Sequence, residues 1–308
     1  MSRGGVPGRW WHVLLAVAVV VTAALAFSSS GDHATAPFHR AFRVTGDGVA
    51  LRAARAGTGP TVVLLHGFGE SLLSWRATFD RLAADADVIA LDLPGFGLSD
   101  KPATGYGNER MAAAVLGALD ALGVQRAVVV GHSMGGAIAV TLALRAPQRV
   151  SALVLVSPAV SAASWGVRPP GTEGVTGDWM RRAIARYERL RPRFTAPHDP
   201  NWLGEDSAAL AYTPADDPAY EVALQSVLRE FNFDYLTPER AARLTIPVLV
   251  IWGEFDQVIP RAIGTRIVES VASARLTVVP RTLHRPHVER PDTVAALVAA
   301  FVSQLGTR

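Results

Sequence analysis

The sequence predicts an α/β fold, with a mostly parallel sheet covered by helices on both faces. Three observations predict it. From about residue 41, short aliphatic runs alternate with longer segments of helical periodicity. The runs are apolar at every position rather than every second one, as in strands buried on both sides. Turn residues stop them, with Gly67 after one run and Pro94-Gly95 after another.

The strand-like runs are 61–65, 88–91, 127–130, 153–156, 248–251 and 276–279. Helical segments separate them, at about 72–84, 109–122, 134–145, 260–271 and 291–305. Such connections are right-handed crossovers, which place helices over the sheet. The alternation stops between about 159 and 240. That stretch has no strand-like run, several prolines, and helical candidates near 178–190 and 218–230. It is too long for a simple loop. The expected organisation is a core of residues 37–158 and 241–308, with a helical cap at 159–240.

Residues 1–36 read differently. Arg3 and Arg9 precede an apolar run, 13–27, whose one polar residue is Thr22. A basic start and an apolar core of this length match an export signal. Including Trp10, Trp11 and His12 brings the run near the lower limit of a membrane span. Small-x-small sites follow at 24–26 and 34–36, and Ser28 to Pro37 reads as a linker. The expectation is a signal peptide or an N-terminal anchor through residues 10–27, with the rest of the chain outside the cytoplasm.

Composition narrows the function. About half of the 308 residues are hydrophobic (49%) and only 19% are charged, which excludes a disordered chain. The net charge of +3 is small, and no basic stripe with interleaved aromatics suggests nucleic acid. Lys101 is the only lysine; the other basic residues are arginines. There is no cysteine, which excludes disulfides, a thiolate nucleophile and a cysteine-ligated metal.

Gly131-His132-Ser133-Met134-Gly135 has the form Gly-x-Ser-x-Gly, directly after one strand-like run and opening a helix. A tight strand-to-helix turn projects the serine from the sheet edge, and Gly131 and Gly135 relieve the crowding. The helix N-terminus favours developing negative charge there. A serine hydroxyl needs a base within reach, oriented by a carboxylate. Of the eight histidines, His12, His33 and His39 lie in the leader or linker. His132 adjoins the serine but should point away, His198 falls in the cap, and His66 ends a strand as a structural residue. His284 and His287 remain, in the loop before the last helix. Asp256 follows the run at 248–251 and Gly253; Glu254 is its competitor. Asp92 also follows a strand, but Pro94-Gly95 marks it as a turn former. The chain order Ser133, Asp256, His284 is a known triad order. Oxyanion donors are expected from the backbone N–H groups of Met134 and Phe68. Gly67 and Gly69 would let the Phe68 loop approach the substrate. This chemistry needs no metal and no organic cofactor.

Residues 41–305 resemble the α/β-hydrolase superfamily. The segments LLHGFGES at 64–71, DLPGFGLSD at 92–100, GHSMGG at 131–136 and WGEFDQVIP at 252–260 match in order. LHRPHVERP at 283–291 resembles the family's histidine loop, with Leu283 where a glycine is usual. The resemblance implies an eight-stranded, mostly parallel sheet with a cap after the sixth strand, and it gives the base to His284 rather than His287. A serine at the nucleophile position argues against the aspartate-based dehalogenases and epoxide hydrolases. The capped esterases and ring-fission-product hydrolases are the most similar branch. The expected reaction is cleavage of a carboxylic ester, with a lipid-like ester included. The alternatives are carbon–carbon cleavage of ring-fission products, cofactor-free haloperoxidation, and a silent binding module. One cap segment, 178–190, places Met180, Ile184, Tyr187 and Leu190 on one helical face and arginines elsewhere. It reads as a helix packed over the site, with docking on anionic lipid as the alternative.

Overall fold

The computed structural model describes residues 41–160 and 217–306. The leader and most of the expected cap, including residues 178–190, lie outside the described residues. Strands β1 (Ala41–Gly46), β2 (Val49–Ala56), β3 (Thr61–Leu65), β4 (Asp87–Leu91), β5 (Ala127–His132), β6 (Val150–Val156), β7 (Val248–Gly253) and β8 (Ala274–Val279) form one eight-stranded sheet. The order is β1-β2-β4-β3-β5-β6-β7-β8. β1 and β2 pair antiparallel to their neighbours, and every later pair is parallel.

The helices are α1 (Arg76–Leu82), α2 (Asn108–Ala121), α3 (Met134–Arg145), α4 (Pro218–Glu230), α5 (Pro238–Ala241), α6 (Ala262–Ser270), α7 (Pro286–Glu289) and α8 (Pro291–Leu305). A 3-10 turn, Leu72–Trp75, precedes α1, so the expected helix at 72–84 is two short elements.

The continuous apolar runs have the cause that the sequence suggested. Along β3, Val63 and Leu65 enter one core with α2, α3 and α6. Val62 and Leu64 enter a second core with α1 and α8. Period-two alternation thus feeds both layers, and the middle of each central strand is apolar on both faces.

The segment after β6 returns to the sheet's carboxyl end through α4. Asp217 caps α4 by accepting the Ala219 N–H at 2.9 Å, with Pro218 at the first helical position. Its far end is tied down by Glu230, whose carboxylate accepts the N–H groups of Gly105 and Tyr106 at 2.8 Å each. Asn108 and Asn232 exchange two further bonds. At the near end, Lys101 Nζ lies 3.4 Å from Asp217. Among the described residues, no helix is long and apolar enough to cross a membrane.

Candidate active site

β5 ends at His132 and α3 begins at Met134, so one residue makes the turn. That residue is Ser133, with φ 48° and ψ −115°. An L-residue there is strained, at a cost of about 1–3 kcal/mol. The surroundings impose the strain. The Ser133 N–H donates to the Val156 carbonyl at 3.0 Å, and its own carbonyl accepts from Gly136 and Ala159 at 2.9 and 2.8 Å. A Cβ on Gly131 would lie 2.3 Å from the Gly135 carbonyl oxygen, and one on Gly135 would lie 2.4 Å from that of Leu65. Only glycine fits at either place. Ser133 is left partly exposed between buried neighbours.

Asp256 and His284 come together from two other loops. Asp256 Oδ2 is 2.9 Å from His284 Nδ1. Its Oδ1 accepts the N–H groups of Val258 and Ile259 at 2.9 and 3.0 Å. Burial pushes the Asp256 carboxyl up, but His284 and these two amides outweigh it and hold it below its ordinary value. With Nδ1 given to the ionised carboxylate, Nε2 is the ring nitrogen left to act as an acceptor. The Asp256 side chain has no solvent exposure and that of His284 has 15%, so the imidazole reaches the site while its partner does not.

The histidine loop is fixed from both sides. Glu289 accepts the Leu283 N–H at 2.7 Å and the Arg285 N–H at 3.0 Å, bracketing His284. Gly253 lets the loop pass, since a Cβ there would lie 1.7 Å from the Leu283 carbonyl oxygen. Leu283 itself has no positive φ; the left-handed residue of this loop is Arg281, at φ 55°. The usual glycine at 283 is therefore not needed here.

Met134 opens α3, where backbone N–H groups lack an intrahelical partner. Phe68 sits in the loop after β3, and the Gly135 backbone packs against the carbonyls of Leu65 and His66 that lead into it. The Phe68 ring meets Phe96 and Phe233 edge-on, with centroids 5.7 and 6.2 Å apart. Tyr220 of α4 donates to the Gly69 carbonyl at 3.4 Å. An aromatic wall thus joins the loop to the segment after β6.

The other candidates have structural partners. His66 Nε2 accepts the Leu93 N–H at 2.9 Å, and its Nδ1 lies 2.7 Å from the Gly67 carbonyl. Asp92 accepts from Leu72 and Leu98, as a turn former should. Glu254 accepts the Arg281 N–H at 2.8 Å. His132 points away from Ser133 into a buried cluster with Glu70 and His287, the one group of potential metal ligands among the described residues. Sequence reasoning passed over Glu70. Its signal is local: a carboxylate three residues after Gly67, whose N–H it accepts at 3.1 Å.

A sharp strand–serine–helix turn together with an Asp–His pair, on this strand order, defines the α/β-hydrolase class. A family model described as the alpha/beta hydrolase fold matches residues 60–214, and the chain belongs to that family. A 2-hydroxymuconate semialdehyde hydrolase from Pseudomonas sp. (strain CF600) is 32% identical over 83% of this chain and 92% of its own length. A meta-cleavage product hydrolase (CumD) from Pseudomonas fluorescens IP01 superposes with a TM-score of 0.66 at 28% identity, covering 85% of this chain and 97% of that one. Est816, described as an N-acyl homoserine lactone degrading enzyme, gives 0.65 at 30% identity, covering 84% and 100%. The protein is a hydrolase.

Proposed function

We propose that this protein cleaves carboxylic esters through an acyl-enzyme on Ser133. The observation that carries the reading is the Asp256–His284 pair at 2.9 Å, held in a loop that His132 joins to the serine turn. Ser133 Oγ attacks the acyl carbon while His284 Nε2 takes its proton. The N–H groups of Met134 and Phe68 receive the oxyanion. The tetrahedral adduct expels the alkoxide, which takes the proton from His284. Water, deprotonated by the same nitrogen, then releases the acid and restores Ser133. An alkoxide needs only that one proton to leave.

Carbon–carbon cleavage is the second reading, and the names of the relatives favour it. A carbon leaving group must first become a stabilised carbanion equivalent, so it demands a ring-fission-type ketone. The same serine then attacks the same kind of carbonyl.

An acyl-length series of p-nitrophenyl esters, run beside a ring-fission product, tests both on wild type and Ser133→Ala. Wild type is expected to turn over short esters. The alanine variant should lose at least ~10³-fold, because the triad acts as a unit. Turnover retained in that variant overturns the mechanism. Activity on the ketone alone puts the second reading in place of the first.

Two further expectations belong with this reading. Residues 10–27 are proposed to export or anchor the chain, which membrane fractionation of the full-length protein reads directly. The segment from 159 to 240 is proposed to cap the site, a role supported by the contact of Tyr220 with Gly69.

A further inference from the structure

Behind the serine turn lies a cluster that the proposed reaction does not use. Glu70, His132 and His287 are all buried. The Glu70 Oε2 that accepts the Gly67 N–H also lies 3.2 Å from His132 Nδ1. Its Oε1 lies 3.1 Å from Arg285 Nε. The other nitrogen of His132, Nε2, lies 3.0 Å from the main-chain carbonyl of His284. The His132 ring packs on His287 and His284, with centroids 4.4 and 5.0 Å away. Trp75 closes the far side of His287 at 4.2 Å.

A divalent cation is not the natural occupant. Arg285 already neutralises Glu70, and a metal would leave the pocket with uncompensated positive charge. Burial pushes the Glu70 carboxyl up, but His132, Arg285 and His287 outweigh it, and it stays well below its ordinary value. Burial also holds His132 below its own ordinary value. A neutral imidazole has one N–H to give, and here two acceptors stand at its two nitrogens.

We propose that His132 and Glu70 are positioning residues that couple the loop carrying Phe68 to the loop carrying His284. The proposal rests on the reading of Ser133 as nucleophile and His284 as base. The contacts run in one line: Gly67 N–H to Glu70, Glu70 against His132, and His132 against the His284 carbonyl, the ring giving its single N–H to one of its two acceptors at a time. Arg285, next to the base, closes it by reaching back to Glu70. The two loops come from β3 and β8, far apart in sequence. Base and oxyanion donor must nevertheless be placed around one reacting carbonyl, and misplacement by ~1 Å costs about 10²-fold. Side chains that bond to both loops set that distance.

The test is labelling by a fluorophosphonate, which reports serine reactivity without requiring the true substrate. Wild type, Ser133→Ala, His132→Phe, Glu70→Gln and the double variant His132→Phe/Glu70→Gln are compared, with thermal melts to normalise the folded fraction. Phenylalanine keeps a ring against His287 but removes both nitrogens; glutamine keeps the shape of Glu70 and removes its charge. Wild type should label at Ser133 and the alanine variant should not. Each positioning variant should lose about tenfold in the maximal labelling rate, with the reagent's binding constant unchanged. The double variant should lose about the same tenfold rather than the product, because the two residues act through one connection. Wild-type labelling rates in both single variants overturn the proposal, as do losses that multiply in the double variant or that appear only in binding. If wild type itself does not label, the reading of Ser133 falls, and the coupling falls with it.

Discussion

The turn around Ser133 and the loop around His284 meet through His132, but different forces shape them. Sterics shape the turn. Ser133 is forced to positive φ, and Gly131 and Gly135 sit where any Cβ would strike backbone. Side-chain hydrogen bonds shape the loop. Glu289 brackets His284, Asp256 holds its ring, and Glu254 holds Arg281. A turn made by excluded volume has no softer alternative. A loop made by carboxylates does, and should fail by degrees.

Graded damage separates the two. The largest effect is expected from Asp256→Asn, which keeps the shape but removes the acceptor that fixes the His284 tautomer. Turnover should fall about 10⁴-fold, near 5.5 kcal/mol, with the fold intact by circular dichroism. Gly135→Ala should instead cost stability, about 3 kcal/mol, because its methyl meets the Leu65 carbonyl rather than a yielding side chain. A thermal melt like that of wild type would show that the turn relaxes more easily than its contacts imply. The smallest effect is expected from Glu289→Gln. One of its two backbone bonds is lost, and turnover should fall about tenfold with little change in melting. A fall as deep as that of Asp256→Asn would mean that the loop is as unforgiving as the turn.

The same contrast explains what was legible in the sequence. The central strands were legible because both faces of each are buried. The first two strands were not read from their residues. β2 carries Arg52 and Arg55 among alanines, and Arg52 is buried beside Asp92, so its polarity hid a strand. β8, at the sheet's other edge, is only half-buried, yet its aliphatic run was enough to mark it. In the site, glycine spacing signalled the turn, since local sterics leave local sequence. Asp256 was read from its place after a strand and Gly253, and its pairing with His284 rather than His287 from the family resemblance. The bond of Glu70 to Gly67 is local, but its contacts with His132 and Arg285 were not legible, because they join loops far apart in the chain. His287 stood beside His284 as a candidate base; in the structure it is wholly buried against His132 and Trp75.

The latch at the start of α4 has a practical use. Lys101 Nζ donates to the carbonyls of Gly97 and Ser99 and lies beside Asp217, with 9% of its side chain exposed. As the sole lysine, it is the only side-chain amine in the protein. Acylation of a lysine side chain therefore interrogates one place, the seam where the segment returning from β6 meets the core, and peptide mapping separates it from acylation of the α-amine. Its rate, read by mass spectrometry, would clock how often that seam opens, with no introduced label.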